Sequence, residues 1–261
     1  MAPRTPTLVI ISGPSCAGKS PLRRALTRRF PELGERLRRP VLFHSRRPRP
    51  GEQEGVDYHF RTRGEIDELR KDGRYLVFET RNDVQAINLP EFAEMLSGGD
   101  VLYEGNVHIA LALKARASST LPECRVVDLF LSPLSSRELR ELVQRSPAPE
   151  RHLSELMRRR LLRRAYRQEQ SLSLPQLQDI EVRAEAAFHE LSHAAEFEHV
   201  IANHDGEDSD NWELLPEPVG DARSTLEALV ALFQGEACSA LESWPSDLLP
   251  PPDCSDNGLP S

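Results

Sequence analysis

The fold of this chain is decided by residues 8–20, which read Leu8-Val9-Ile10-Ile11-Ser12-Gly13-Pro14-Ser15-Cys16-Ala17-Gly18-Lys19-Ser20. The apolar run at the start is typical of a buried strand, and the rest matches G-x-x-x-x-G-K-[ST] at every fixed position. Glycines let such a loop curl with its backbone N–H groups facing inward, which forms a cradle for phosphate at a helix N-terminus. The segment therefore predicts a strand, a phosphate-binding loop and a helix, in that order.

The loop contains the residue types that a nucleoside triphosphate and Mg²⁺ require. Lys19 would reach the β- and γ-phosphates as a catalytic residue, and the hydroxyl of Ser20 would be a ligand of Mg²⁺. Of the 33 basic residues only three are lysines, so a lysine at this point of the motif is not explained by composition. We predict ATP and Mg²⁺ as the cofactors. The predicted ATP phosphate-binding residues are Gly13, Pro14, Ser15, Cys16, Ala17, Gly18, Lys19 and Ser20.

Composition excludes several classes of protein. At 261 residues the chain can form one substantial core, and its formal charge of −8 argues against non-specific nucleic-acid binding. Four separated cysteines without C-x-x-C spacing argue against a zinc site or a disulfide framework. No segment resembles a signal peptide or a membrane span, so we expect a cytoplasmic protein without a membrane or nucleic-acid partner.

Strand-like and helix-like segments alternate through most of the chain, which favours an α/β domain with a largely parallel sheet. From about residue 150 to 196 the pattern becomes long, helical and strongly charged. We predict one domain over residues 1–235. Residues 236–261 are rich in Ser, Pro and Asp, and we expect them to form a disordered tail.

A second informative segment covers residues 46–60 and reads RRPRPGEQEGVDYHF. An arginine guanidinium group binds two phosphate oxygens at once, and a tyrosine hydroxyl adds a further hydrogen-bond donor. An isolated basic loop, however, is more often simply solvated. Downstream of the phosphate loop, the pattern R-x-P-R-P-G-E-x-x-G-V-D-Y-H-F closely resembles the guanylate kinases. The resemblance covers roughly residues 7–205, apart from an inserted segment.

This resemblance implies a P-loop NTPase fold with a parallel sheet core, an acceptor-binding lobe at about 40–95 and a helical lid at about 145–190. It implies transfer of a phosphoryl group from ATP to a nucleoside monophosphate, GMP in this family. Glu52 would support the residues that hold the acceptor phosphate, Glu79 would read the guanine edge and Asn203 would lie near adenine. The implied acceptor-binding residues are Arg46, Arg49, Glu52, Tyr58, Glu79 and Glu104, and the implied catalytic lid arginines are Arg145 and Arg183.

The chain departs from the family pattern on the base-recognition side. Leu42 replaces a serine, Asn88 a tyrosine, Pro90 a serine or threonine, and Asn106 an aspartate. Two alternatives to GMP phosphorylation therefore stay open: a different phosphorylated acceptor, and a non-catalytic module that binds a protein. The inserted segment around 147–182 carries an arginine run that is either a solvated helix face, a partner site or a cover for a larger acceptor. Oligomeric state is not predicted.

Overall fold

The computed structural model describes residues 4–49, 51–169 and 171–249. Its strands are β1 (Thr7–Ser12), β2 (Leu42–His44), β3 (Tyr58–Phe60), β4 (Tyr75–Thr80), β5 (Asp83–Asn88), β6 (Val101–Gly105), β7 (Arg125–Ser132) and β8 (His199–Ala202). Its α-helices are α1 (Lys19–Arg29), α2 (Pro31–Arg36), α3 (Arg63–Glu68), α4 (Leu89–Ser97), α5 (Val107–Ala117), α6 (Ser136–Arg145), α7 (Pro149–Gln168), α8 (Leu174–Ser192) and α9 (Gly220–Gln234).

The core is a parallel sheet with the strand order β6-β1-β7-β8. Every residue of β1 is buried, as expected of a parallel strand covered by helices on both faces. Leu8 and Ile10 pack on the side of α5, α7 and α8, whereas Val9 and Ile11 pack on the side of α1 and α9. The phosphate loop leaves the carboxyl end of β1, which is the edge where ligands bind in open α/β sheets.

The acceptor-binding lobe is a second sheet with the order β3-β2-β5-β4. Short α3 covers one face of this sheet, and its buried residue Ile66 packs against Val84 and Ala86. A capping box between Thr62 and Glu65 begins α3. The opposite face of the lobe is turned toward the phosphate loop.

The inserted segment forms a helical hairpin, because α7 and α8 pack against each other and onto the core. Leu153, Met157 and Leu161 on α7 are fully buried, and a capping box at Ser173 begins α8. The arginine run therefore lies on a packed helix and is not a wholly solvated face. Among the described residues no helix is both long enough and apolar enough to cross a membrane.

The predicted disordered tail requires a correction for residues 236–249. Trp244, Leu248 and Leu249 are buried in the core cluster, and Glu242 forms an antiparallel bridge with Val200 beside β8. The average composition of this segment is typical of disorder, but these three large apolar side chains bury enough surface to hold it against the core. The remainder of the predicted tail, 250–261, lies outside the described residues.

Candidate active site

The phosphate loop connects β1 to α1, and two of its glycines have positive φ angles, 140° at Gly13 and 101° at Gly18. A Cβ atom at Gly13 would lie 2.3 Å from the backbone oxygen of Leu131, and one at Gly18 would lie 2.3 Å from Nδ2 of Asn203. Both positions therefore need glycine for conformation and for space. The shape of the loop is set by contact with the strands behind it.

Lys19 lies across this loop at the first turn of α1. Its Nζ donates to the backbone oxygens of Gly13 at 2.8 Å and Pro14 at 2.7 Å. Burial lowers the pKa of Lys19, and the nearby carboxylates of Glu207 and Glu190 oppose this effect. The ammonium group is thus fixed over the loop among negative side chains, at the place where the motif requires a cation.

Ser20 and Glu104 bring a hydroxyl and a carboxylate together beside the loop. The Oγ of Ser20 donates to one oxygen of Glu104, and Nε of Arg23 donates to the other at 2.8 Å. Oxygen ligands of this type are those that Mg²⁺ prefers, so these two residues fit the predicted metal. Glu104, which the resemblance implies on the acceptor side, therefore lies at the boundary between the two halves of the cleft.

The predicted phosphate clamp of the acceptor is assembled in the structure. Arg46 donates from both terminal nitrogens to the two oxygens of Glu52 at 2.6 Å, and the backbone N–H of Arg49 donates to Glu52 at 2.8 Å. The guanidinium of Arg46 lies 5.1 Å from the centre of the Tyr58 ring. No carboxylate of the described residues lies within ion-pair distance of the Arg49 side chain. Its role as a phosphate ligand stays a prediction that this arrangement favours.

The pKa of His44 indicates that positive charge is concentrated on the acceptor side of the cleft. Burial, together with the charges of Arg46, Arg49 and Arg81, lowers the pKa of His44 to about 3. The neutral ring accepts the backbone N–H of Arg46 at Nδ1, 3.2 Å away. Three guanidinium groups around one buried neutral imidazole form a site suited to an anion.

Of the two predicted lid arginines, only Arg183 reaches the cleft. Its side chain is nearly buried, and its Nε lies 2.8 Å from Asp179 without the geometry of a hydrogen bond. Burial raises the pKa of Asp179, although the charges of Arg49 and Arg81 oppose this. Arg183 therefore lies over the cleft beside a carboxylate whose pKa is raised by burial.

Arg145 does not line the cleft in this structure, so its assignment as a catalytic residue stays a prediction. Its side chain is 80% exposed and lies 3.8 Å from Glu141 on the same helix. Arg164 of the inserted segment lines the cleft instead, and it donates to Glu207 at 2.5 Å. Burial alone would raise the pKa of Glu207, but the charges of Arg164 and Lys19 hold it below its ordinary value. Arg164 and Arg183 are therefore the arginines of the lid helices that line the cleft in this structure.

Two further predicted residues have other surroundings than expected. Asn203 is fully buried behind the loop, where both N–H groups of its amide are engaged by the backbone oxygens of Ala17 and Asp205. It thus holds the phosphate loop through Ala17, and its adenine-side role stays a prediction. Glu79 is half exposed and pairs with Arg63 and with a second arginine of the same surface, outside the cleft.

The displacement of Glu79 follows from the alternation of a strand. Glu79 shares the face of β4 with Val77, which packs toward α3, whereas Phe78 and Thr80 lie on the opposite face, where Thr80 lines the cleft and Phe78 packs against the main core. Across the hairpin, Gln85 lies on the cleft face, and its side-chain amide makes no hydrogen bond to any described residue. The carboxylate of Glu79 thus lies outside the cleft in this structure, and its guanine-reading role stays a prediction.

The family departures separate into two groups. Asn88 and Pro90 begin α4: the side chain of Asn88 accepts the N–H of Glu91, and Pro90 occupies the first turn. Leu42 and Asn106 line a smaller pocket that continues from the main cleft and that Gln85 also borders. The amide groups of Gln85 and Asn106 and the apolar side chain of Leu42 therefore border this smaller pocket together.

Several residues of the cleft were not predicted from the sequence. Arg81 has a positive φ of 61° in the β4–β5 hairpin turn and forms an ion pair with Glu190 on α8. Backbone strain of this kind is often found at functional sites. Glu190 lies in the E-L-S-H-A-A-E stretch that the resemblance already covers, and Arg164 lies in the arginine run, so both carried a signal. The unpredicted cleft residues include His44, Arg81, Gln85, Arg164, Asp179, Glu190 and Glu207.

Comparison with known proteins agrees with this geometry. A family model described as guanylate kinase matches residues 5–97. The guanylate kinase of Gluconobacter oxydans is 32% identical over 230 residues, 87% of this chain and 88% of that protein. That of Rickettsia felis is 31% identical over 200 residues, 76% of this chain and 85% of that protein.

Among solved structures, a guanylate kinase from Anaplasma phagocytophilum superposes with a TM-score of 0.51 at 18% identity, covering 88% of this chain and 86% of that one. This likeness shows a shared fold, and the sequence similarity of the relatives extends over most of both chains. With a P-loop fold, an intact phosphate loop and relatives of this similarity, the chain belongs to the guanylate kinase family.

Proposed function

We propose that this chain transfers the γ-phosphoryl group of ATP to the phosphate of a nucleoside monophosphate, with GMP as the acceptor. One observation carries the proposal. The phosphate loop with Lys19 and Ser20 and the clamp of Arg46, Arg49 and Tyr58 line the same cleft.

The reaction needs no covalent intermediate with the protein. An oxygen of the acceptor phosphate forms a bond to the γ-phosphorus of ATP, and the bond to the β–γ bridging oxygen breaks, which leaves ADP. The second pKa of a phosphate monoester is about 6, so this oxygen is anionic at neutral pH without a general base. The work of the residues is to align the acceptor with Arg46 and Arg49 and to stabilise charge with Lys19, Arg164 and Arg183.

Mg²⁺ is expected to bind with ATP, because family membership implies it and the donor set fits. The Ser20 hydroxyl would be its protein ligand, and Glu104 would orient that hydroxyl through the hydrogen bond between them. When bound, the metal neutralises charge on the β- and γ-phosphates. Arg23 holds the second oxygen of Glu104 and so fixes the carboxylate.

The test is ADP release from ATP and Mg²⁺ with GMP, dGMP, AMP, CMP and UMP in parallel. Lys19→Ala is the inactive reference, and Lys71→Ala is its matched control, since Lys71 is exposed and, among the described residues, pairs only with Glu68 three residues away. We expect GMP-selective turnover that Lys71→Ala retains and Lys19→Ala loses. Turnover that survives in Lys19→Ala would contradict the donor assignment.

A second candidate keeps the enzyme class and changes the acceptor. It is favoured by the placement of Glu79 outside the cleft and by the amide of Gln85 on the cleft face. The same assay, extended to phosphorylated small molecules without a base, separates the two. Turnover with one of these and not with GMP supports the second candidate. If calorimetry finds Lys19-dependent ATP binding but no acceptor is phosphorylated, a non-catalytic binding role is supported instead.

A further inference from the structure

Three histidines lie together at the root of the lid, outside the cleft. His108 is on α5, and His189 and His193 are one turn apart at the end of α8 and in the turn that follows it. Each offers a ring nitrogen, and these three atoms lie within 4.8 Å of one another. The ring centres are 5.1 to 6.0 Å apart. Neither the nucleotides nor Mg²⁺ require this cluster.

The surroundings of His193 resemble those of a metal ligand. Its Nδ1 lies 2.5 Å from an oxygen of Glu196, which leaves Nε2 as the nitrogen available to a ligand. That Nε2 is buried and has no hydrogen-bond partner among the described residues. Histidines that bind metals usually engage their other nitrogen with a carboxylate, which fixes the tautomer and the ring orientation. An unpaired buried nitrogen is otherwise costly.

The protonation of the cluster is consistent with metal binding. Burial and the neighbouring imidazoles lower the pKa of His108, and burial with the charge of His193 lowers the pKa of His189. Neutral imidazoles offer the lone pairs that a metal needs, whereas three protonated rings at this distance would repel one another.

We propose that His108, His189 and His193 bind a divalent transition-metal ion, with Zn²⁺ as the representative. Imidazole nitrogens suit Zn²⁺, Co²⁺, Ni²⁺ and Cu²⁺, whereas Mg²⁺ prefers oxygen ligands, so this site is chemically distinct from the one at Ser20. Three histidines with water as the fourth ligand is a known zinc arrangement. Nitrogen ligands of one tetrahedral zinc are about 3.3 Å apart, so small side-chain rotations would close the site.

The position of the site gives the ion a structural consequence. His108 follows the cleft residue Asn106 by two positions, and His189 is adjacent to Glu190, which pairs with Arg81 of the acceptor lobe. An ion shared by α5 and α8 links the lid helix to the core sheet. The bound ion therefore stabilises the native chain and limits the movement of the end of α8.

The experiment uses the full chain, freed of metal with a chelator and titrated with ZnSO₄ by calorimetry and with CoCl₂ by visible absorption, both without nucleotide. We expect one equivalent to bind, with the intense absorption of tetrahedral Co²⁺ and a higher Tm. His189→Gln and the triple variant of all three histidines to Gln should lose this binding. Glu196→Gln should weaken it about 10- to 100-fold.

The matched control is His199→Gln, a histidine on β8 outside the cluster, which should bind like the parent chain. His189 is exposed, so its variant is expected to fold, and circular dichroism checks this. The proposal is overturned if no stoichiometric binding occurs or if binding persists in the triple variant. Because no nucleotide is present, failure here is distinguishable from failure of the proposed kinase activity.

Discussion

The phosphate loop and the arginine-rich wall opposite it line one cleft, but different interactions hold them in shape. The loop is fixed by backbone geometry, since Gly13 and Gly18 have positive φ angles and no space for a Cβ atom. The wall is fixed by ion pairs, a local one between Arg46 and Glu52 and one between residues distant in sequence, Arg81 and Glu190. A backbone cradle exists before its ligand arrives, whereas ion pairs can exchange partners when an anionic substrate enters. The donor half should therefore be the less tolerant of substitution.

The substitution Gly13→Ala is the most direct test of the rigidity of the phosphate loop. The new Cβ would meet the backbone oxygen of Leu131 at 2.3 Å and disturb several phosphate-binding N–H groups together. We expect kcat/KM to fall by about 1000-fold or more, because each such donor contributes strongly to the transition state. The matched control is Gly64→Ala, where nothing lies within 4 Å, and it should keep full activity in the ADP-release assay. A nearly active Gly13→Ala would show that the loop is not rigid.

Substitutions of the lid arginines test the part of the cleft that ion pairs hold in shape. Arg164→Ala should reduce kcat by about 100-fold, since it removes a buried cation from the cleft and leaves Glu207 without its partner. Arg145→Ala should stay within about twofold of the parent, because that side chain is 80% exposed. Steady-state kinetics with ATP varied at saturating acceptor measures both. Equal losses in the two variants would support Arg145 as a lid arginine.

The same contrast explains what the sequence could predict. The phosphate loop and the Arg46–Glu52 clamp are local motifs, so their residues are identified by spacing within a few positions. Arg145 was assigned by its order in the family pattern, and the inserted hairpin of α7 and α8 breaks that order. Glu79 was assigned by position too, but the face of a strand changes with every residue, so a small difference in a hairpin reverses the result.

The tail and the histidine cluster depend on contacts that no local pattern contains. Residues 236–249 have a composition typical of disorder, yet Trp244 finds a buried site against the core. His108 is 81 positions before His189 in the sequence, and only the packing of α5 near the end of α8 brings them together. Long-range contacts of this kind determine the lid, which is why fold class was predictable and lid chemistry was not.

Substitutions on the base-recognition side of the cleft should have smaller effects than those in the phosphate loop and the lid. Gln85→Ala should raise KM for the acceptor about tenfold, since it removes an amide on the cleft face worth roughly one hydrogen bond. Glu79→Ala should leave KM unchanged, because its carboxylate pairs with Arg63 and Arg70 outside the cleft. KM for ATP should not change in either variant. A raised acceptor KM in Glu79→Ala alone would assign base recognition to that residue.

The smallest expected effect is on stability and involves His44. Its pKa is about 3 in the native chain and about 6.5 when unfolded, so below pH 6.5 the unfolded state takes up a proton that the native state does not. Native stability contributed by the neutral ring is therefore lost as the pH falls, by about 1 kcal/mol between pH 7 and 5.5. His44→Gln keeps an acceptor for the N–H of Arg46 but does not titrate, so this part of the pH dependence should disappear.

Urea unfolding of the two proteins at both pH values measures the difference, and the remaining histidines act as a shared background. A phosphate-containing acceptor should shrink the effect, because its negative charge would offset the guanidinium groups of Arg46, Arg49 and Arg81 that oppose protonation. Identical pH slopes in the parent and in His44→Gln would mean that neither burial nor the three arginines hold the ring neutral in the native chain. In that case the arginine-rich wall would respond to an anionic substrate no more than the backbone cradle opposite it does.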